Sequence, residues 1–174
     1  MDISKLAKEY GISQCYKKKS CIFSQGDENQ YLYIITSGLL KAYYNSVDGK
    51  EYIKSFLFPG DSIASIRALQ GGTCSFSLLC LQETQTIKIP YAKIISTAAE
   101  DINTAQAVIN FLLLFSMKKE QREYELLCLN AEQRYNALLS QTPNITEFVT
   151  QNDIARYLGI TPVALSRLKN NRPK

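Results

Sequence analysis

The sequence predicts an α+β protein in which an antiparallel β-roll, a jelly roll of short strands, is followed by a long helix and a C-terminal helical helix-turn-helix domain. Three observations predict it. Residues 21–90 hold short β-rich runs separated by glycine-marked turns, which is typical of an antiparallel roll or barrel. An apolar stripe at helical spacing follows from about residue 98. The last 25 residues hold two short helical patterns joined by a Leu-Gly-Ile turn.

These patterns predict three divisions of the chain. Residues 1–97 are expected to form an N-terminal helix and the roll, residues 98–128 a long connecting and dimerisation helix, and residues 129–174 the helix-turn-helix domain. The N-terminal helix is predicted over residues 1 to about 14 because Leu6 and Tyr10 recur on one side.

Composition limits the class of protein. The chain has 174 residues, of which 45% are hydrophobic and 21% charged, which leaves room for one ordinary domain and a small appendage. It has no apolar run of about 18 residues, so no transmembrane helix is expected. Its polar N terminus lacks the apolar centre of a signal peptide. We therefore expect a cytoplasmic protein with no membrane partner.

The roll is predicted from six β-rich runs and the turns between them. The runs cover residues 21–23, 31–35, 39–44, 51–57, 75–80 and 86–89. Asp48-Gly49 is the strongest hairpin signal among the turns.

The long helix carries the prediction of a dimer. Residues 110–115 are apolar nearly all round, so this segment must be buried on several sides. One side can lie on the roll, and a second copy of the helix would cover the other; the alternative is a core helix in a monomer. The expected dimer residues are Ile102, Val108, Ile109, Leu112, Leu113 and Phe115. A further helix is predicted over about residues 130–140.

The first helix of the C-terminal pair has a start and a stop signal. Thr150 is a capping residue, and Asp153 three positions on is placed to reach back to it. Gly159 ends the helix because a residue just past the last turn often adopts a positive φ.

The second helix is predicted to enter the major groove of DNA. Thr161 is a suitable N-cap and Pro162 suits the first helical position. Leu165 and Leu168 are expected to face inward, and in this motif the exposed N-terminal half reads the bases. The predicted DNA-binding residues are Thr150, Gln151, Thr161, Pro162, Val163, Ser166, Arg167, Lys169, Asn170 and Arg172.

The expected role of these side chains differs. The Arg167 guanidinium can bond two acceptors of a guanine edge, or it can hold a phosphate. Ser166 is expected to bond a base or a phosphate. Val163 is either a contact to a thymine methyl or plain helix surface. Lys169 and Arg172 are expected to hold phosphates.

Charge supports a DNA partner. Residues 150–174 hold five basic side chains and one acidic one, so the whole net charge of +4 lies there. A basic patch confined to one end is the footprint expected of a DNA contact. The alternative interpretation is a solvated basic tail.

The order of these parts resembles the Crp/Fnr family of bacterial transcription regulators, from about Ile22 to Asn171. The most specific segments are residues 23–27, 31–38, 48–51, 58–61 and 158–167. The resemblance implies a cyclic-nucleotide-binding-like roll and a homodimeric, sequence-specific regulator. Its implied partners are double-stranded DNA, RNA polymerase, and either an unknown small-molecule effector or none.

Two charges that hold cyclic AMP in the family are missing. The family's Gly-Glu-Leu stretch and Arg-Ser/Thr pair correspond here to residues 64–66 and 74–75. A buried phosphodiester without a cationic partner is costly, so we expect no cyclic-AMP binding in the family manner. The candidate effector pocket comprises Ser62, Ser65, Ile66, Arg67, Cys74 and Ser75, with Arg67 expected at the surface.

No metal and no cofactor is expected. The chain has no histidine, and its five cysteines are scattered, so neither a four-cysteine cluster nor a histidine-ligated site is evident. The cysteines are expected to be buried thiols, with a redox-responsive pair as the alternative.

Two features leave an alternative function open. The sequence stops at Lys174, so the family's β-hairpin wing and some phosphate contacts are expected to be missing. Val163 stands three positions before Ser166, where other members of the family often have an acidic residue. The DNA sequence that those members read is therefore not expected to be the one that this chain reads. The alternative is a ligand-sensing or protein-interaction module with a degenerate DNA-binding end. An enzyme is not expected, because no nucleophile motif or P-loop is present.

Overall fold

The computed structural model describes residues 3–170, in which eight strands and eight helices are joined by short connections. The strands are β1 (Ile12–Tyr16), β2 (Cys21–Phe23), β3 (Tyr31–Ser37), β4 (Leu40–Asn45), β5 (Glu51–Leu57), β6 (Ser62–Ile63), β7 (Ser77–Cys80) and β8 (Thr84–Pro90). The helices are α1 (Ile3–Tyr10), α2 (Ile66–Leu69), α3 (Tyr91–Glu100), α4 (Ile102–Cys128), α5 (Ala131–Gln141), α6 (Ile145–Phe148), α7 (Gln151–Leu158) and α8 (Pro162–Asn170).

The strands form two four-stranded antiparallel sheets, in the orders β1-β8-β3-β6 and β2-β7-β4-β5. This confirms the predicted α+β class and antiparallel roll. The hairpin expected at Asp48-Gly49 joins β4 to β5, with Asn45 opposite Glu51 and Gly49 at φ 76°. A positive φ of this kind costs glycine little conformational energy, which is why the Asp48-Gly49 pair is a specific signal for a hairpin.

Aromatic side chains fill the space between the two sheets. The ring of Phe23 lies 5.4 Å from that of Phe76 and 5.8 Å from that of Tyr33, measured between centroids. Cys74 and Leu78 complete the same buried cluster. The interior of the roll is therefore a packed apolar core.

The N-terminal prediction is wrong in its end point. Helix α1 stops at Tyr10 and strand β1 follows at Ile12, inside the predicted helix. A Cβ at Gly11 would lie 2.1 Å from the Ala7 carbonyl oxygen and 2.5 Å from the Ile87 methyl Cγ2. Only glycine therefore lets the chain between α1 and β1 lie this close to β8. Strand β1 was not predicted, because it is an exposed edge strand whose sequence does not alternate apolar and polar residues.

The helical region begins earlier than predicted and is divided in two. Helix α3 starts at Tyr91, directly after β8, and the chain is extended at Asp101 before α4 begins. The Asp101 carboxylate accepts hydrogen bonds from the Asn103 and Thr104 amides, at 3.2 and 3.1 Å. This N-cap starts α4 four residues later than the predicted long helix. Strand β6 and helix α6, of two and four residues, were not predicted.

Helix α4 lies on the roll with one side and leaves the other open. Val108 and Phe111 pack on a buried cluster that includes Leu32 and Ile89. The opposite side exposes apolar side chains: Ile102, Ile109, Leu112, Leu113, Leu114, Met117, Leu126 and Leu127. Over the described residues 3–170, no helix is both long enough and apolar enough to cross a membrane.

Candidate nucleic-acid interface

Helix α7 begins at the predicted cap. The Thr150 hydroxyl accepts a hydrogen bond from the Asp153 amide at 3.1 Å and donates one to the Asp153 carboxylate at 3.0 Å. These bonds satisfy an amide that the first helical turn leaves without a partner. Ile154, Ala155 and Leu158 are fully buried on the inner face of the helix.

The turn between α7 and α8 is set by Gly159 and Thr161. Gly159 adopts φ 69°, and the Ile160 amide bonds the Ala155 carbonyl at 3.0 Å, which closes the end of α7. The Thr161 hydroxyl then accepts a hydrogen bond from the Ala164 amide at 3.2 Å and caps α8. The two helices meet through Leu158 and Leu165, which belong to one buried cluster.

Helix α8 presents a continuous outer face to solvent. Val163, Ser166, Arg167 and Asn170 are all exposed, and Val163 and Asn170 each lie three and four residues from the adjacent pair Ser166 and Arg167. Side chains at this spacing lie together on one face of a helix. That face lies opposite Leu165, which is 1% exposed. The structure therefore groups four of the predicted DNA-binding residues on one surface.

A second group of predicted residues lies beside this face. The Lys169 ammonium donates a hydrogen bond to the Gln151 side-chain carbonyl at 3.2 Å, which links α8 to the start of α7. Thr150, Thr161 and Pro162 are exposed at the two helix N-termini. The remaining predicted residue, Arg172, lies outside the described residues.

The charges of the helix-turn-helix are not all available to a ligand. The Arg156 guanidinium pairs with Glu51 of the roll, and Asp153 pairs with Lys41 of the roll. Within residues 3–170, Arg167 and Lys169 pair with no carboxylate. The free positive charge of the described interface is thus carried by α8.

The helix-turn-helix packs directly against the outside of the roll. The Lys41 ammonium lies 2.9 Å from Glu51 Oε1 and 3.0 Å from Asp153 Oδ1, and its side chain is 7% exposed. Leu39, Phe56, Phe58 and Leu81 of the roll join the apolar cluster around Ile154 and Leu165. A buried ammonium between two carboxylates has its hydrogen-bonding groups satisfied. This contact therefore specifies one position of the helix-turn-helix on the roll.

Tyr157 is held from two sides. The Arg122 guanidinium of α4 stacks over its ring at 3.8 Å and donates to its backbone carbonyl. The Phe56 ring of the roll lies 5.4 Å away, measured between centroids. Burial raises the pKa of the Tyr157 phenol, Arg122 lowers it to a smaller degree, and Glu125 raises it slightly. Tyr157 thus joins roll, long helix and helix-turn-helix.

Sequence reasoning missed these docking residues. Lys41 interrupts an otherwise apolar strand at Leu39-Leu40-Lys41-Ala42, and a charge at such a position signals a buried partner. Nothing in the sequence indicates that the partner is Asp153, which lies 112 residues away. The sequence likewise gives no signal for Arg122 or for Arg134, which donates to the Leu158 carbonyl at 3.1 Å.

The candidate effector-pocket residues do not form one enclosed surface. Ser65 and Cys74 are buried, and the Ser65 hydroxyl accepts a hydrogen bond from the Ser75 amide at 3.1 Å. Ile66 and Arg67 are exposed on helix α2. Ser65 and Ile66 are thus neighbours of unlike exposure, and the assignment of both to an effector pocket stays a prediction. Ser62 and Ser75 are half-buried.

The expectation of buried thiols is wrong for three of the five cysteines and holds for two. Cys15, Cys21 and Cys128 are exposed, whereas Cys74 and Cys80 are buried. Burial raises the pKa of the Cys74 and Cys80 thiols, which makes them weaker nucleophiles. Among residues 3–170, no three histidine, cysteine or acidic side chains are grouped to hold a metal ion.

The predicted dimer residues divide between the two sides of α4. Ile102, Ile109, Leu112 and Leu113 are exposed. Val108 packs on the core and Phe115 is half-buried against Lys54 of the roll, so these two face inward. An apolar surface of this kind on a long helix is what a second copy would cover.

Fold and interface together define a class of protein: a β-roll joined through a long helix to a helix-turn-helix. Residues 13–101 match the model of the cyclic nucleotide-binding domain. The chain is 31% identical over 166 residues to the anaerobic regulatory protein of Aggregatibacter actinomycetemcomitans, a match that covers 87% of this chain and 63% of that relative. The chain thus spans somewhat less than two thirds of that relative's length.

Solved structures show the same fold. FixK2 from Bradyrhizobium japonicum superposes with a TM-score of 0.80 at 20% identity, over 92% of this chain and 83% of the other. A transcriptional regulator assigned to the Crp/Fnr family from Eubacterium rectale superposes at 0.74 with 19% identity, over 95% and 80%. The chain belongs to the cyclic nucleotide-binding domain family. The predicted resemblance to Crp/Fnr regulators is confirmed.

Proposed function

We propose that this chain is a sequence-specific DNA-binding transcription regulator of the Crp/Fnr type that acts as a homodimer. The observation that carries the proposal is the outer face of α8. Val163, Ser166, Arg167 and Asn170 form one exposed surface on a helix whose inner side is packed into a helix-turn-helix. Such a surface is the element that enters the major groove in this motif.

The chemistry of that face suits base recognition. Arg167 offers a planar fork of donors that matches the two acceptors of a guanine edge. Ser166 and Asn170 add short polar groups on either side of it, and Val163 adds an apolar contact of the size of a thymine methyl. Lys169, placed beside this face by its bond to Gln151, is in position to hold a phosphate.

The exposed side of α4 supports a homodimer. Ile102, Ile109 and Leu113 recur at intervals of seven and four residues on one side of the helix and are 79%, 50% and 58% exposed. Burial of such apolar surface is the main favourable contribution to association. Pairing two copies along α4 would also set two recognition helices to read two half-sites of a symmetric operator.

A regulator of this type works where the chromosome is, so we place the protein in the cytoplasm. It would act on transcription by contacting RNA polymerase or by blocking it. The regulatory names of its relatives favour this role over that of an enzyme. The packed roll interior and the missing charges at residues 64–66 and 74–75 favour control that does not depend on cyclic AMP.

Binding-site selection from a random DNA pool tests the proposal. We expect a two-fold symmetric consensus whose affinity falls steeply with salt concentration, because phosphate contacts release counterions. Light scattering of the free protein should give the mass of a dimer. Failure to enrich any sequence would support a protein-interaction module, and a monomer at high concentration would contradict the two-half-site arrangement.

A further inference from the structure

Two ammonium groups lie on one aromatic ring where the roll meets helix α4. Lys54 of strand β5 places its ammonium 4.9 Å from the centroid of Phe76 and 5.6 Å from that of Phe115. Lys119, one turn after Phe115 on α4, lies 5.1 Å from the same Phe115 centroid. Each contact is favourable as a cation–π interaction, but the charge of Lys119 also acts unfavourably on that of Lys54.

These two lysines differ from the paired lysines around them. Lys41, Lys50 and Lys118 all lie within 3.0 Å of a carboxylate oxygen. In the part of the chain that the structure describes, Lys54 and Lys119 form no ion pair. Lys118 gives the sharpest contrast, because it is the neighbour of Lys119 in sequence but forms an ion pair with Asp61.

The environment of Lys54 disfavours a lone cation. Its side chain is half-buried between the roll and α4. Burial, and secondarily the charge of Lys119, lowers the pKa of Lys54 to about 8. A negative group that accepts hydrogen bonds from both ammonium groups would relieve both effects, since charge-assisted hydrogen bonds are the strong ones.

We propose that Lys54 and Lys119 form a binding site for a small oxyanion, a carboxylate or phosphate group, between the roll and helix α4. Neither lysine belongs to the predicted effector pocket at residues 62–75, and the site does not depend on the proposed DNA-binding function. A ligand held there would connect strand β5 with the helix whose opposite side is the predicted dimer surface. It would therefore stabilise one position of α4 on the roll.

Calorimetric titration of the free full-length protein tests the site, with inorganic phosphate and acetate as probes against chloride at matched ionic strength. We expect saturable binding of at least one of the two, and the tighter one identifies the oxyanion class. Lys54→Gln and Lys119→Gln should each weaken that binding by roughly tenfold or more, because one of two charge-assisted bonds is lost.

Lys88→Gln is the matched control. Lys88 is also half-buried and lies 4.9 Å from the centroid of Tyr31, but among the described residues no second lysine contacts that ring. Its replacement removes the same charge and the same kind of contact, and binding should be unchanged. The proposal is overturned if neither probe binds saturably to the parent protein, or if Lys54→Gln and Lys119→Gln bind like Lys88→Gln. Lys119 is exposed, so its variant keeps the test decisive should replacement of Lys54 disturb folding.

Discussion

The ammonium of Lys41 on strand β4 lies 3.0 Å from Asp153 Oδ1 on helix α7, and both side chains are nearly excluded from solvent. Asp153 is also the residue whose amide is capped by Thr150. The Asp153 carboxylate also accepts a hydrogen bond from the Thr150 hydroxyl, so this one residue links the cap of α7 to the roll. Because α7 packs on α8 through Leu158 and Leu165, this contact also sets the pose of the proposed recognition helix.

Lys41→Met should destabilise the protein by about 3 kcal/mol, since it leaves the nearly buried Asp153 carboxylate with only its longer 3.8 Å ion pair to Arg156. Urea unfolding measures the loss, and amide hydrogen exchange should locate it in α7 and α8. Lys50→Met is the control, because Lys50 forms an exposed ion pair with Asp48 and its loss should have little effect on stability. Equal effects of the two substitutions would show that Lys41 does not anchor the helix-turn-helix.

Arg167→Ala should weaken specific DNA binding by about 1–3 kcal/mol and relax preference at one base position. Lys169→Ala should instead weaken binding about equally on all sequences and reduce the salt slope by about one. Fluorescence anisotropy on selected and random duplexes at several salt concentrations separates the two patterns. Uniform weakening by Arg167→Ala would make that side chain a phosphate contact.

Gly159→Ala should cost about 1 kcal/mol. The residue has φ 69°, but an added Cβ would meet no atom within 4 Å, so the penalty is that of the backbone alone. Gly11→Ala should cost more, about 2–3 kcal/mol, because its Cβ would collide with the Ala7 carbonyl. Thermal and urea unfolding give both values; the reverse order would mean that the passage at Gly11 relaxes easily.

The half-buried Lys54 should make stability rise with pH above about 8 in phosphate-free buffer. Its folded pKa of about 8 lies below the ordinary value of 10.5, so the unfolded chain binds more protons between these values. The cost of charging it is fully present below pH 8 and disappears as pH approaches 10.5. Lys54→Met should therefore raise the free energy of unfolding at pH 7 by an amount on the order of 1–2 kcal/mol.

Urea unfolding of parent and Lys54→Met at pH 7 and near pH 9.5 checks this prediction. The difference between the two proteins cancels the contributions of other titrating groups, including the buried Cys74 and Cys80 thiols. The advantage of the variant should shrink at the higher pH. An advantage that is independent of pH would assign the effect to packing and not to charge.

Cyclic AMP should not bind in the family manner. Residues 64–66 and 74–75 supply no charged side chain, and Phe23, Tyr33 and Phe76 fill the roll interior. Calorimetric titration with cyclic AMP should show no saturable heat, whereas low-micromolar binding would contradict the prediction. Phosphate binding at Lys54 and Lys119 would not count against it, because inorganic phosphate and the nucleotide are titrated separately.

Several elements could be predicted because their signals are local. The start of α7 at Thr150, its end at Gly159 and the cap of α8 at Thr161 depend on side chains within three or four residues. The hairpin at Asp48-Gly49 likewise depends on backbone angles that few residues adopt. The edge strand β1 and the break at Asp101 were missed because exposed strands lack alternation and because a single cap can divide an apolar run.

The sequence by itself determined the order of the parts and the composition of the outer face of α8, since helical spacing alone places Val163, Ser166, Arg167 and Asn170 together. Tertiary structure alone decided that Arg156 and Asp153, counted as charges of the DNA-binding end, are matched by Glu51 and Lys41 of the roll. It also decided that Lys54 and Lys119 meet on the Phe115 ring. The physical reason is that spacing encodes which residues share one element, whereas partners on different elements are brought together only when the apolar surfaces between them pack.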